Sequence, residues 1–202
     1  MPEISALKPQ KNGKRVNVYL DGKFGFGIDL ENFVTLGLKI GQEYSEEEIA
    51  EIIKKAEFQK SLDKLLKFAT LRLRSEKEIN DYFKRKKIHE NLISGLFNRL
   101  KKLELVNDLE FARWWVEQRQ AFKPKTRKVL KLELKSKGIS KEIIEEVLAE
   151  TKVDEFKIAK ELLSKKAYKW TGLPAFEARR KKSQYLAGKG FGWEVIEKVV
   201  EA

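Results

Sequence analysis

One apolar pattern occurs three times along the 202 residues of this chain. The three copies align on Ile88, Ile139 and Phe191, which lie 51 and then 52 residues apart. Each copy places apolar residues four, five, eight and nine positions beyond its anchor: Leu92, Ile93, Leu96 and Phe97; Ile143, Ile144, Val147 and Leu148; Val195, Ile196, Val199 and Val200. This spacing predicts an apolar stripe along a helix. Its recurrence at a fixed period indicates an array of helical units.

Two further helices are predicted before the stripe in each unit. The first helices share an apolar signature: Leu66, Phe68, Ala69 and Leu73; Leu109, Phe111, Ala112 and Val116; Phe156, Ile158, Ala159 and Leu163. The second helices are predicted to start after Ser75, Pro124 and Pro174 and to end at Lys87, Gly138 and Gly190. Glycine at such an end favours a left-handed helix stop, and Lys87 must adopt that conformation at some cost.

One segment, from Leu130 to Lys135, alternates between apolar and polar residues as a strand does. The preceding proline, the following glycine and the register with the other two units favour a helix instead. The third helices are predicted to begin at His89, Ser140 and Gly192.

The N-terminal residues follow a period of two, which is typical of strands. We predict a three-stranded meander over Ile4 to Lys8, Lys14 to Leu20 and Lys23 to Ile28. The pairs Asn12-Gly13 and Asp21-Gly22 favour the two hairpin turns. Gly25 and Gly27, inside the third strand, indicate a close backbone approach or a bulge.

A short helix and a turn are predicted over residues 29–44, followed by a longer helix. Ser45 and Glu48 have the spacing of a capping box, so this helix should begin directly after Ser45. It carries Ile49, Ile52, Ile53 and Ala56, and we expect it to bend or break before Ser61.

The predicted fold is therefore mainly α, with three tandem three-helix repeats that form an elongated, curved body behind a small β-rich N-terminal extension. The predicted boundaries are residues 1–58 for the extension with its linking helix, 59–106 for repeat 1, 107–152 for repeat 2 and 153–202 for repeat 3.

Composition points to a polyanionic partner. Lys and Arg number 43 against 31 Asp and Glu, which gives a net charge of +12. Nucleic acid is the first candidate, ahead of an acidic protein or a membrane surface. The alternative is that the charges only keep a helical, heat-stable protein soluble.

Several kinds of chemistry are excluded by composition. There is no cysteine and a single histidine, His89, so thiol catalysis, thiolate metal sites and multi-histidine sites are excluded. No carboxylate pair stands out as an acid and base, and Gly188–Gly192 lacks the spacing of a phosphate loop. We expect no catalytic residues, no cofactor and no metal.

No apolar run approaches the ~20 residues of a membrane span, and Met1 is not followed by an apolar signal region. We therefore expect a cytoplasmic protein without a membrane partner.

The candidate binding residues are three basic clusters, one on each second helix: Lys84, Arg85, Lys86 and Lys87; Lys123, Lys125, Arg127, Lys128 and Lys131; Arg179, Arg180, Lys181 and Lys182. Stacked repeats would join them into one basic strip that contacts phosphates independently of sequence. The alternative is three separate solvated faces. The nearby Phe122, Tyr168 and Trp170 are candidates for base stacking, although a tryptophan in a helical array is more often part of the core.

Six motifs follow one another along the chain in a specific order: Ala6–Lys11, Val18–Gly22, Arg74–Ile79, Asn107–Arg113, Lys137–Ile139 and Lys189–Phe191. In this order of motifs the chain resembles the RecX family, the bacterial regulators of the RecA recombinase. The resemblance implies three tandem three-helix units, binding in the groove of the RecA–DNA filament, and inhibition of strand exchange and of the RecA ATPase. Departures from the family pattern affect the loops: Glu104 and Lys87 stand where glycines are common, and Pro124-Lys125 occupies a place that often carries glycine.

Three hypotheses follow. In the first, the protein contacts both the RecA filament and single- or double-stranded DNA through the basic strip. In the second, it meets only protein and the strip is incidental. In the third, it is a helical array that binds DNA or RNA without acting on RecA.

Overall fold

A computed structural model describes residues 1–11 and 13–201. Three strands come first, namely β1 (Ile4–Pro9), β2 (Arg15–Leu20) and β3 (Lys23–Asp29). The described residues then form ten α-helices: α1 (Leu30–Leu36), α2 (Glu46–Thr70), α3 (Glu76–Lys86), α4 (Glu90–Lys102), α5 (Asp108–Phe122), α6 (Arg127–Ser136), α7 (Lys141–Glu150), α8 (Glu155–Ser164), α9 (Ala175–Ala187) and α10 (Trp193–Glu201). The chain divides into two compact units, residues 1–72 with 83–103 and residues 73–82 with 104–201.

The first unit contains the predicted meander, an antiparallel sheet in the order β1-β2-β3. Val18 pairs with Phe26 whereas Tyr19 pairs with Phe24, so Gly25 is the extra residue of a bulge. A Cβ on Gly25 would lie 2.9 Å from Leu20 Cδ1. Of the two alternatives expected for the strand glycines, Gly25 thus shows the bulge. Of the first predicted turn, Asn12 lies outside the described residues.

Helix α2 begins with the predicted capping box. The Glu48 amide donates to Ser45 Oγ at 3.2 Å, and the Ser45 amide donates to Glu48 Oε2 at 2.8 Å. The predicted break before Ser61 is wrong, because α2 continues without interruption to Thr70.

The continuity of α2 follows from its buried positions. Ile52 and Ala56 belong to the core under the sheet, and Leu62, Leu65 and Ala69 are buried further along the same helix. No Gly or Pro interrupts the segment. One helix therefore serves as both the linking helix and the first helix of repeat 1. The predicted boundary after residue 58 falls inside it, and the four-part division of the chain stays a prediction.

The second unit contains two complete sets of three helices, α5–α7 and α8–α10, each with its own buried core. Segment 130–135 lies in helix α6, as predicted, with Leu130 and Leu134 fully buried. Helix α6 starts two residues later than Pro124 alone indicated, because Thr126 is its cap and accepts a hydrogen bond from the Val129 amide at 3.2 Å.

All three predicted helix stops adopt the left-handed conformation. The φ angles are +82° at Gly138, +86° at Gly190 and +50° at Lys87. Glu104, one of the two residues expected to stand in place of a glycine, also has a positive φ of +55°. Both side chains tolerate the glycine-favoured conformation at about 1–2 kcal/mol each.

Candidate polyanion-binding surface

The second unit contains two junctions between consecutive repeats, and they share one backbone frame. At the first, Ser75 Oγ donates to the carbonyl oxygen of Lys137 at 2.8 Å, and the Glu76 amide donates to Asp108 Oδ1 at 2.8 Å. Ser75 is fully buried. These two bonds hold the start of α3 against the end of α6 and against the start of α5.

At the second junction, the Arg127 amide donates to Glu155 Oε1 at 2.9 Å. Thr126, which caps α6, is 1% exposed, and a Cβ on Gly190 would lie 3.2 Å from its hydroxyl oxygen. The two junctions match at three positions. Each has a serine or threonine before its second helix, an acidic residue at the start of the following first helix, and a glycine stop. This frame fixes the position of the basic residues that begin α6.

Some cations of the predicted cluster around α6 have a hydrogen-bond or ion-pair partner in the fold, and others have no ion pair. The Arg127 guanidinium donates to the carbonyl oxygen of Thr151 at 2.6 Å, and Lys131 lies 3.6 Å from Glu145 in an exposed pair. Lys123, Lys125 and Lys128 form no ion pair with any residue that the structure describes. These three side chains can neutralise an external anion without first leaving a carboxylate.

The predicted cluster on α9 divides in the same way. Arg179 pairs with Glu201, and Lys181 Nζ lies 2.8 Å from Glu177 Oε1. The hydrogen bond and the charge of Lys181 lower the pKa of Glu177. Within residues 1–11 and 13–201, Arg180 and Lys182 have no ion-pair partner.

The predicted cluster of Lys84, Arg85, Lys86 and Lys87 lies in the first unit, at the end of α3. All four are exposed, and the Arg85 guanidinium lies 5.7 Å from the centre of the Phe68 ring. The three lysines have no ion pair among the described residues. The continuous strip that would join all three clusters stays a prediction.

A cavity of about 440 Å³ at the second junction gathers two lysines that sequence reasoning missed. Lys165, at the end of α8, and Lys189, at the end of α9, line it together with Lys123 and Lys125. Lys189 has a signal in the sequence, because it repeats Lys137 two positions before the helix anchor. Lys165 has no such signal, since only the packing of the repeats brings it there.

The three candidate aromatic residues have different environments. Trp170 is 8% exposed and packs against Tyr185 with ring centres 5.8 Å apart, so it belongs to the core. Tyr168 and Phe122 are 70% and 77% exposed, and Phe122 lies on the rim of the basic cavity. Of the three, Phe122 is therefore the ring placed to meet a ligand of the lysines.

The other candidate residues, His89 and segment Gly188–Gly192, have structural roles. His89 occupies the N-cap position of α4 without a side-chain hydrogen bond to the helix backbone, and its Nδ1 lies 2.9 Å from Asn91 Oδ1. Segment Gly188–Gly192 contains the left-handed stop at Gly190. Among the described residues no three metal-ligating side chains cluster, and no described helix is both long and apolar enough to span a bilayer.

Fold and surface together define a helical-repeat protein with a small N-terminal sheet and exposed clusters of basic residues. Three family models match it: "Regulatory protein RecX N-terminal domain" over residues 2–45, "RecX, second three-helix domain" over 107–148 and "RecX, third three-helix domain" over 153–200.

Relatives of known family and solved structures agree with these matches. Regulatory protein RecX of Bacillus pumilus is 34% identical over the whole chain and 77% of its own length; that of Bacillus subtilis is 33% identical over 97% of the chain and 75% of its own length. A "Crystal structure of regulatory protein RecX" matches with a TM-score of 0.72 at 26% identity, covering all of both chains. RecX from Lactobacillus salivarius matches with a TM-score of 0.61 at 29% identity, over 72% of this chain and 95% of that one. The chain belongs to the RecX family of regulatory proteins.

Proposed function

We propose that this protein binds the RecA–DNA filament and inhibits the recombinase and its ATPase, without catalytic activity of its own. It contacts the filament and the DNA backbone through its basic helical faces and acts in the cytoplasm. The observation that carries the proposal is the set of unpaired cations on a surface where neighbouring cations have carboxylate partners: Lys123, Lys125 and Lys128 before and on α6, and Arg180 and Lys182 on α9.

The proposed DNA contact is independent of sequence. Lysine is a compact point charge that attracts phosphates wherever they lie, whereas base reading requires side chains directed at base edges. If about five phosphates are neutralised, the logarithm of the affinity for a single strand should fall with that of salt with a slope of roughly −3 to −4.

The experiment that tests the proposal is the single-strand-dependent ATPase of the cognate RecA, with this protein titrated below saturation of the DNA. Inhibition at substoichiometric amounts supports binding to the filament. Inhibition only when the protein coats free DNA contradicts it, because simple competition for the strand then suffices.

A charge reversal at Lys128 separates the contacts. Lys128→Glu should weaken both DNA binding and filament inhibition, since this exposed side chain has no ion pair in the described part of the chain. Lys55→Glu is the matched control, because Lys55 is also exposed on a helix and unpaired there. If Lys128→Glu leaves filament inhibition intact, the protein regulates through protein contacts alone.

A second function remains a candidate, that of a sequence-independent DNA- or RNA-binding repeat protein that does not act on RecA. The exposed Phe122 beside four lysines favours a direct nucleic-acid contact. This alternative predicts equal affinity for naked and RecA-coated strands, whereas the main proposal predicts tighter binding to the coated strand.

A further inference from the structure

The two junctions of the second unit share a backbone frame but differ in charge. Repeat alignment pairs three positions of the first junction with three of the second: Glu78 with Val129, Glu133 with Tyr185, and Lys137 with Lys189. The lysine is kept, and both carboxylates are replaced by uncharged side chains.

The first junction neutralises its own cations. Lys137 Nζ lies 2.7 Å from Glu78 Oε1, and Arg119 Nε lies 2.6 Å from Glu133 Oε2. Glu133 also accepts a hydrogen bond from the Trp115 indole at 2.8 Å. These groups are partly shielded from water, so each charge is stabilised by its partner and none is left to attract a ligand.

The second junction lacks this compensation. Lys189 Nζ lies 5.7 Å from the centre of the Tyr185 ring, which takes the place of a carboxylate. The residues that line the adjacent cavity of about 440 Å³ include four lysines and neither Asp nor Glu. None of the four makes an ion pair with a described residue. Four like charges around one cavity repel one another, and a bound anion would relieve that repulsion.

We propose that this cavity, the junction pocket, binds one phosphodiester of a single-stranded nucleic acid and that the adjacent base stacks on Phe122. The lysines that bind the phosphate are Lys123, Lys125, Lys165 and Lys189. The inference rests on the proposed function in its DNA contact and assigns that contact a specific site.

Two observations favour a nucleotide over an acidic peptide. The cavity has more room than a carboxylate needs, and Phe122 is 77% exposed on its rim. An exposed aromatic ring stacks on any base, which gives affinity without sequence preference. Lysine ammonium groups likewise attract the phosphodiester without reading a base.

The test is fluorescence anisotropy of a labelled oligothymidylate of about 15 nucleotides, a length at the upper end of single-strand site sizes. The variant Lys165→Gln/Lys189→Gln removes two cations that lie outside the predicted basic strip. We expect weaker binding and a salt slope shallower by up to about 0.7, because the two lysines contact the same phosphate and one lost phosphate contact reduces the slope by about 0.7. Phe122→Ala should weaken binding about fivefold or more.

A second, independent variant introduces into the second junction a carboxylate that the first junction has. Val129→Glu should place an acid near Lys189, as Glu78 lies near Lys137, and so close the pocket to phosphate. Lys55→Gln is the control for general loss of charge, and thermal unfolding of each variant verifies the fold. A photo-crosslink from 5-iodouracil to Phe122 or Tyr185 reports the site without any substitution.

The outcomes separate the pocket from the proposed function. Unchanged affinity and slope in Lys165→Gln/Lys189→Gln overturn the pocket, even if Lys128→Glu abolishes RecA inhibition. Weaker RecA inhibition with unchanged strand binding also overturns it and indicates an acidic protein segment as the occupant. Reduced strand binding in a protein whose wild type leaves the RecA ATPase unaffected supports the pocket and contradicts the filament proposal.

Discussion

The hydroxyl of Ser75 donates a hydrogen bond at 2.8 Å to the carbonyl oxygen of Lys137, 62 residues further along the chain. Ser75 Oγ also accepts a hydrogen bond from the Glu78 amide at 3.2 Å, so one side chain caps α3 and ties it to the end of α6. A local helix signal and a tertiary contact between repeats are therefore combined in one buried residue.

Ser75→Ala should lower the free energy of unfolding by about 2 kcal/mol, because it removes both a helix cap and a hydrogen bond between repeats at a fully buried residue. Ser45→Ala is the comparison, since Ser45 caps α2 and the bonds shown for its side chain are local. That variant should cost only about 1 kcal/mol. Urea denaturation measures both, and equal losses would contradict the tertiary role of Ser75.

Lys87→Gly should stabilise the protein by about 1 kcal/mol, because Lys87 holds the left-handed stop at φ +50°. Lys87→Asn, which also tolerates this conformation, should recover part of the gain. The same denaturation measurement applies. A loss of stability in Lys87→Gly would mean that the lysine side chain compensates for the backbone strain.

Gly190→Ala should destabilise the protein, in contrast to Lys87→Gly. The backbone at Gly190 has φ +86°, and a Cβ there would lie 2.8 Å from Val129 Cγ2. Strain and overlap together should cost about 2 kcal/mol or more. Gly172→Ala is the control, because Gly172 has a similar φ of +81° and nothing within 4 Å of its Cβ position. Equal losses would show that the packed junction adds nothing to the backbone strain.

The repeats and their stops were predictable because they depend on local rules. A helical stripe and a glycine stop each require only a few neighbouring residues, so Gly138 and Gly190 reveal their roles in the sequence. The break expected before Ser61 was wrong because α2 packs under the sheet at Ile52 and continues through Leu65 as a repeat helix. When one helix packs against two different partners along its length, its apolar pattern changes, and such a change resembles a helix end in the sequence.

The candidate site was less predictable because charge compensation is not local. Arg179 and Glu201 are 22 residues apart, and Lys137 and Glu78 are 59 apart, yet both pairs meet in the fold. Clustering in the sequence does not reveal these partners, so it treats such cations as if they could all bind an external anion. Lys165 joins the junction pocket through packing alone, and no periodic signal indicates it.

Asp29, which caps the start of α1, should make the stability of the fold depend on pH. Burial raises its pKa, but the hydrogen bonds from the Asn32 side chain and amide outweigh that effect, and the pKa is lowered from its ordinary value of 3.8. A carboxyl group with a lowered pKa stabilises the fold above its unfolded pKa, and this contribution disappears as pH falls through the folded value. Asp29→Asn, which keeps a cap acceptor, should cost about 0.5–1 kcal/mol at pH 7 and almost nothing at about pH 2. Thermal unfolding across that range checks it, and a constant difference would contradict the role of the charge.

Arg127 and Lys128 are adjacent cations with different expected roles. The Arg127 guanidinium donates to the Thr151 carbonyl oxygen at 2.6 Å, whereas Lys128 has no ion pair among the residues that the structure describes. Arg127→Gln should therefore lower stability by about 1 kcal/mol or more, since a hydrogen bond from a charged donor is lost. Lys128→Gln should leave stability unchanged and weaken strand binding, with a salt slope shallower by about 0.7. Denaturation and anisotropy on the same two variants separate the roles. If Lys128→Gln leaves the slope unchanged while Arg127→Gln reduces it, the paired cation makes the DNA contact, and an unpaired charge is then a poor guide to the binding surface.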